Sequence, residues 1–198
     1  MAHADDAQRR LYGRRKRALF GRIAGRDGAP PVVVEIGAGS GLNAAYLPAG
    51  ARWIVVEPNV HFHGRIREAA AAHGLGLDLA AGTAEALPLA DGAADAVLST
   101  LVLCSVDDVA QSLAEARRVL RPGGRFVFVE HVAAPPGSLR RRAQRAFRRP
   151  WGWFADGCRP DQETGRLIRE AGFADVEMEA FRAGLGLVAP HVAGVATR

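Results

Sequence analysis

The stretch VVVEIGAGSG, Val32 to Gly41, ends a β-branched run in a carboxylate, Glu35, and then sets glycines at 37, 39 and 41 around Ala38. Glycines let the main chain turn tightly and let a ligand lie against it. A loop of this kind after a strand holds a nucleotide-like molecule. The dinucleotide fingerprint is GxGxxG, whereas this loop reads GxGxG. Glu35, two residues before Gly37, would repel a pyrophosphate; it suits a cationic ligand, or a neutral one bearing amines. Glu57, followed by Pro58, ends the next β-branched run. A carboxylate there can accept hydrogen bonds from both hydroxyls of a ribose.

A second group of residues could move protons. His131 closes the run RFVFVEH, and an imidazole is a side chain that can take or share a proton. Asp156, in FADGC, could orient His131 or act as a base, unless it only starts an Asx turn before Gly157. His191, in APHVAG, faces either a pocket or the core. Cys104 reads better as a small hydrophobe than as a nucleophile. His61 and His63 form an HxH with no further ligands at metal spacing, so no metal is expected.

These residues need a scaffold. Strands are predicted at Val32–Ile36, Arg52–Val56, Leu77–Ala80, Asp95–Thr100 and Arg125–His131. Helices are predicted near the N-terminus up to about Gly25, at Leu42–Leu47, at Val60–His73 and at Asp107–Leu120, with RPGG as the stop and turn after the last. Asp161–Ala171 reads as a further helix, and Val176–Phe181 with Leu187–Ala196 as a final strand pair. Alternating strands and helices mean an α/β fold, a Rossmann-like doubly wound seven-stranded sheet. The sheet is mostly parallel, and the late pair adds an antiparallel C-terminal strand.

Length and composition agree with one domain over residues 1–198, with residues 1–30 as a helical cap. The chain is 48% hydrophobic and 24% charged, and no apolar run is long enough to span a bilayer. The start, MAHADDAQRR, has no signal-peptide core. Two cysteines without CxxC or zinc spacing read as free thiols in a reducing, cytoplasmic setting. The net charge is +5, but only Lys16 among the 26 basic residues is a lysine. That bias looks like genome composition rather than a nucleic-acid-binding face, so no nucleic-acid partner is expected.

VVVEIGAGSG, the acid of VVEPN, AGTAEALPL and LRPGGRFVFVEHV together resemble the motifs of class I S-adenosylmethionine-dependent methyltransferases. Further on, STLVLCSVDD, the segment RVLRPGGRFVFVEHVAA, ADGC and PHVAGVATR are similar to the methyltransferase-like-seven group. That group is associated with thiol S-methylation and is close in pattern to the ubiquinone and menaquinone biosynthesis methyltransferases. The resemblance implies S-adenosylmethionine as cofactor and S-adenosylhomocysteine as product. It places the glycine loop under the amino acid moiety, Glu57 at the ribose, and Thr83, Ala84 and Glu85 at the adenine edge. Thr100 and Leu101 would line the same cofactor edge. Many relatives carry an aspartate where this chain has Thr83, so Glu85 or a backbone carbonyl is left to meet the adenine amine. Eukaryotic members carry an apolar N-terminal membrane segment that this chain lacks.

Residues 133–160 would then form a substrate-side lid. Read as a helix, Leu139, Ala143 and Phe147 share a face that could roof an apolar pocket, with Trp151 and Phe154 as walls. Tyr12 and Phe20, on the N-terminal helix, could close the other side. The acceptor is expected to be a small molecule, most simply a thiol. Oxygen or carbon of a quinone or natural product is the alternative. A reading of another class is a non-catalytic protein docking its arginine-rich helix on acidic membrane surfaces. The sequence leaves the oligomeric state open.

Overall fold

Short β-branched runs and amphipathic helices alternate here, and the central strands bury both of their faces. In the computed structural model, α1 (Ala2–Phe20) precedes β1 (Val32–Ile36), β2 (Arg52–Val56), α2 (His63–Ala72) and β3 (Gly76–Ala80). Next come β4 (Ala94–Thr100), α3 (Val109–Val119) and β5 (Leu120–His131). The C-terminal part holds α4 (Leu139–Ala146), α5 (Arg148–Phe154), α6 (Thr164–Glu170), β6 (Asp175–Arg182) and β7 (Pro190–Thr197). The structure describes residues 2–184 and 186–198, with side chains from residue 5 onward; Met1, in the expected N-terminal cap, and Leu185 lie outside the described residues.

The seven strands order as β3-β2-β1-β4-β5-β7-β6. All neighbours from β3 to β5 run parallel, and β7 is antiparallel to both β5 and β6. Alternate residues of β1 face opposite layers, as a strand's period of two requires. Val34 and Ile36 join a layer with Leu113 and Ala116 of α3 and Ile168 of α6. Val33 joins a second layer with Trp53, Phe20 of α1 and Ile66 of α2. Helices on both faces of a largely parallel sheet are the doubly wound arrangement the sequence predicts. The order reverses between β1 and β4, which opens a crevice at the carboxyl ends of those strands.

Several local expectations differ. Leu42–Leu47 is not an α-helix but a short 3-10 turn, Leu42–Tyr46, entered through left-handed Gly41. The N-terminal helix ends at Phe20 rather than near Gly25. Asp108, not Asp107, caps α3, its side chain accepting from the Gln111 amide at 3.0 Å. RPGG lies within β5, not before it: Leu120 already pairs with Ala94, and the register then jumps to Ala96 opposite Arg125. The four residues bulge out, held by Arg121 on Asp95 at 2.5 Å.

The largest departure is α4. Neither its apolar residues nor Phe147 just beyond it reach the main cavity: Leu139 is 80% exposed and Phe147 58%. The buried side chains are Arg141 and Gln144. Gln144 Oε1 accepts from the Ala134 amide at 2.7 Å, and Nε2 donates to the carbonyls of Val132 and Leu187 at 3.3 and 3.0 Å. Arg141 pairs with Glu163 at 2.6 Å. The loop leaving β5 carries backbone groups with no strand partner, and buried ones must be satisfied. Meeting them outweighs burying one leucine, so the polar side turns inward.

Candidate active site

The site begins where β1 runs out. Gly37, Gly39 and Gly41 adopt φ of 62°, 52° and 76°, in the left-handed region that disfavours side chains. A Cβ on Gly39 would meet nothing within 4 Å, because this residue faces open cavity. Glu35 is fully buried and held by two donors, Asn43 Nδ2 on Oε1 and Trp53 Nε1 on Oε2, both at 2.8 Å. Burial pushes its carboxyl up to about 7 against the pull of Asn43, Lys16 and Trp53. Asn43 also donates to Thr100 Oγ1 at 3.0 Å, tying the glycine loop to the end of β4.

Glu57 ends β2 beside the loop. The Gly39 amide donates to Oε2 at 2.8 Å and the Asn59 amide to Oε1 at 2.9 Å. Each carboxylate oxygen keeps a further lone pair for a ligand. Across the crevice, Thr83 and Ala86 form an isolated bridge that brings Ala84 and Glu85 to the rim. Burial alone would raise the Glu85 carboxyl. Backbone amides, including those of Asp107 and Asp108, outweigh burial and hold it low, so Glu85 is spent on positioning the start of α3.

One cavity of about 840 Å³ runs from these residues to the far side of the crevice. Glu35, Gly37, Ala38, Gly39, Glu57, Pro58, Thr83, Ala84, Glu85, Thr100 and Leu101 all line it. Gly41 does not; it sits behind the loop, where an added Cβ would press on Ala69 of α2 at 3.0 Å. Leu101 holds φ of 60° at the rim, its amide bonded to the Val129 carbonyl. Buried Glu130 secures this turn, accepting from Ser99 Oγ at 2.6 Å and the Val102 amide at 3.1 Å.

The far end of the cavity is walled by His131, Cys104, Cys158 and Trp151. His131 Nε2 lies 3.0 Å from Cys158 Sγ, and Trp151 Nε1 donates to the same sulfur at 3.2 Å. Hydrogen bonding from Cys104, then from His131, lowers the Cys158 thiol. The mirror of that contact, with burial, raises Cys104. Asp156 lines the cavity but is exposed and sits at φ of 52° before Gly157. Cys158, not Asp156, takes the place beside His131.

Tyr12 and His191 do not line the cavity. They meet each other behind its wall, the phenol oxygen 2.9 Å from His191 Nε2, while Nδ1 contacts the Ala189 carbonyl at 2.9 Å. Burial, helped by the Glu130 charge, pushes the Tyr12 hydroxyl up to about 12. His191 stands directly opposite His131 in the β5–β7 ladder, and its basicity is lowered by burial. Phe147 and Phe154 flank a separate apolar groove of about 490 Å³ that shares Trp151 with the main cavity. Phe154 itself is 90% exposed.

Sequence reasoning missed Cys158, Asn43 and Lys16 as site residues. Lys16 projects from α1 to the cavity wall near Glu35; burial lowers its ammonium to about 8, against the pull of that carboxylate. Its one signal was being the sole lysine in an arginine-rich chain. Cys158 was visible only as one of two cysteines.

Comparison with known proteins follows the same lines. Residues 34–128 match the family model described as Methyltransferase domain. Human thiol S-methyltransferase TMT1B is 38% identical over 191 residues, covering 93% of this chain and 78% of that protein. The ubiquinone/menaquinone biosynthesis C-methyltransferase UbiE of Paracoccus denitrificans is 32% identical over 197 residues, covering 89% and 78%. Among solved structures, an S-adenosylmethionine-dependent methyltransferase of Thermotoga maritima, possibly a histamine N-methyltransferase, superposes with a TM-score of 0.65 at 24% identity, covering 100% of this chain and 95% of that one. Geranyl diphosphate methyltransferase superposes at 0.71 with 17% identity, covering 96% and 80%. The sheet order, glycine loop and acid-tipped β2 are thus those of a Rossmann-like S-adenosylmethionine-dependent methyltransferase. Within that class, the chain belongs to the family of the thiol S-methyltransferases TMT1A and TMT1B.

Proposed function

We propose that this enzyme transfers the methyl group of S-adenosylmethionine to the sulfur of a small thiol. The observation that carries the reading is the far end of the cofactor cavity. It is walled by two sulfurs, an imidazole and an indole within one continuous space, in a chain whose curated relatives include thiol S-methyltransferases at 35–38% identity. The second acceptor class, a quinol carbon or oxygen, rests on the UbiE relatives.

Glu57 would hold the ribose hydroxyls, with its two backbone donors fixing the carboxylate plane. The Gly37–Gly39 backbone would pass under the amino acid moiety. The Glu35 charge would favour its ammonium, and Lys16 would take its carboxylate. Thr83 and Ala84 would meet the adenine edge through their backbone, since the Glu85 carboxylate is engaged elsewhere. Thr100 and Leu101 would border the sulfonium. Trp151 would wall the acceptor end; with Cys158 Sγ beside His131 Nε2, exposed Asp156 would not be needed to orient that imidazole. Helices α4 and α5 would serve as the frame of that wall rather than as an apolar roof.

Transfer is an in-line displacement. The cofactor supplies the methyl on a positively charged sulfur, and the protein's work is to align acceptor and methyl. Alignment of this kind contributes about 7–11 kcal/mol in well-oriented cases. A thiol is a few per cent thiolate at neutral pH and needs modest help to ionise. Two free, buried cysteines at the site fit a reducing compartment such as the cytoplasm. Among the described residues no helix is long and apolar enough to cross a membrane.

The test is turnover by mass spectrometry with S-adenosylmethionine and a panel of small thiols, phenols, amines and quinol mimics. Methyl thioethers formed above the level of a Gly39→Arg control are the expected result. Methylation of a phenol or quinol with every thiol ignored would replace this reading with the second.

A further inference from the structure

Three side chains from distant parts of the chain converge at the acceptor end of the cavity. Cys104 comes from the loop after β4, His131 from the last position of β5, and Cys158 from the segment after α5. Their ligand-type atoms all lie within 4.8 Å of one another, and all three residues are buried. We propose that Cys104, His131 and Cys158 form a soft-metal site, best matched to Zn²⁺, whose open fourth position binds and activates the acceptor thiol. The activation half rests on the thiol reading above; the metal half stands on the cluster itself.

The donor set argues for this metal. Two thiolates and one imidazole are ligands that select zinc, and three protein ligands with one open position mark catalytic rather than structural sites. Zn–S near about 2.3 Å and Zn–N near about 2.0 Å imply ligand atoms roughly 3.5–3.8 Å apart in a tetrahedron. The present spacing reaches that with small side-chain shifts: His131 Nε2 and Cys158 Sγ, at 3.0 Å, open slightly. His131 Nδ1 has no hydrogen-bond partner among the described residues. No protein partner therefore fixes the tautomer, and Nε2, the nitrogen 3.0 Å from Cys158 Sγ, is the one placed to present a lone pair toward the sulfurs. The Trp151 indole, donating to Cys158 Sγ at 3.2 Å, supplies the outer hydrogen bond that ligating thiolates commonly receive.

The position suits the reaction. All three residues line the cavity that also holds the glycine loop, so the open coordination site faces the space where methyl and acceptor must meet. A thiol entering that site gives up its proton to a water molecule that leaves through the cavity mouth, and its sulfur binds the metal as thiolate. A sulfur lone pair then forms the new bond to the methyl carbon. The carbon–sulfonium bond breaks with its electrons going to the cofactor sulfur, which becomes neutral S-adenosylhomocysteine. The neutral thioether is a weaker ligand than the thiolate and departs. The metal keeps its oxidation state throughout.

The experiment uses the full chain, reduced, stripped with a chelator and titrated with Co²⁺ as a spectroscopic stand-in for Zn²⁺. The expected result is one equivalent of Co²⁺ bound, with thiolate-to-cobalt charge-transfer absorption and four-coordinate visible bands that Zn²⁺ abolishes. Cys104→Ala and Cys158→Ala should each lose the charge-transfer bands or diminish them by half or more. S-adenosylmethionine binding by calorimetry reports that the variant has folded, and either variant that keeps it suffices. An aqua-ion spectrum in the wild type, or bands unchanged in a folded cysteine variant, overturns the site. So does a chain whose two thiols are unreactive until reduced, which marks a Cys104–Cys158 bridge instead. A Zn²⁺-loaded enzyme should methylate a thiol at least tenfold faster than the stripped one, and equal rates overturn the activating role. Protein that binds cofactor and Co²⁺ but ignores every thiol defeats the thiol reading and leaves the metal site standing.

Discussion

The backbone amide of Gly39 donates to the Glu57 carboxylate at 2.8 Å, so the glycine loop and the acid at the tip of β2 form one rigid unit. With the Asn59 amide on the other oxygen at 2.9 Å, the carboxylate is locked in plane before any ligand arrives. Glu57→Gln turns one oxygen into an NH₂ group that must face a backbone N–H. Cofactor affinity should fall on the order of tenfold to a hundredfold, from the loss of about 1.5–3 kcal/mol of charge-assisted bonding. Calorimetric titration with S-adenosylhomocysteine measures it. Unchanged affinity would remove Glu57 from the cofactor site.

Gly39 and Gly37 should fail differently. A side chain at Gly39 enters open cavity, so Gly39→Val costs the fold only backbone strain at φ of 52°, about 1–2 kcal/mol. It should nonetheless abolish cofactor binding. At Gly37 a Cβ would stand 2.8 Å from Val102 Cγ2, so Gly37→Val should unfold more readily as well as bind poorly. Thermal melts with and without cofactor separate the two: Gly39→Val keeps most of its melting temperature but gains none with ligand.

Glu35 sets a pH dependence of unusual sign for a carboxylate. Burial first, countered by its hydrogen bonds, raises its folded value to about 7 from 4.5. The protonated form is therefore favoured in the fold. Its stabilising contribution is fully present below the unfolded value and is lost as the pH rises through about 7, on the order of 3 kcal/mol. Urea unfolding of the ligand-free protein should show this loss between about pH 5 and pH 8, and Glu35→Gln should flatten it. S-adenosylmethionine, with its net positive charge, should bind the ionised form better, so wild-type affinity rises across the same window. A flat stability difference between wild type and Glu35→Gln would refute the assignment.

Gln144 should behave as a core residue despite its polarity. Gln144→Leu keeps the volume but strands the Ala134 amide and the carbonyls of Val132 and Leu187. The buried Ala134 amide costs about 1–3 kcal/mol when unpaired and the two part-buried carbonyls less, so a loss of roughly 2–4 kcal/mol in chemical denaturation is expected. Leu139→Gln, at an exposed site, should change stability by less than about 0.5 kcal/mol. The opposite ranking would mean that α4 packs by its apolar face after all.

The sequence by itself determined the doubly wound sheet, the antiparallel closing pair and which residues gather around the glycine loop. These rest on local physics. β-branched runs make strands, glycines at 37 and 39 make a loop that a ligand can approach, and an acid at the tip of β2 lies beside that loop in any sheet of this order. Only the tertiary structure decided the grouping of Cys104, His131 and Cys158. Cys104, His131 and Cys158 are brought together because β4 lies beside β5 and the segment after α5 folds back over both. No spacing along the chain records that encounter, which is why Asp156 looked like the partner of His131. The orientation of α4 was equally hidden. Its amphipathic pattern counts the transfer of apolar groups from water, but not the unpaired amide and carbonyls of the neighbouring loop. Those exist only once β5 has ended at His131, and they turned Gln144 and Arg141 inward.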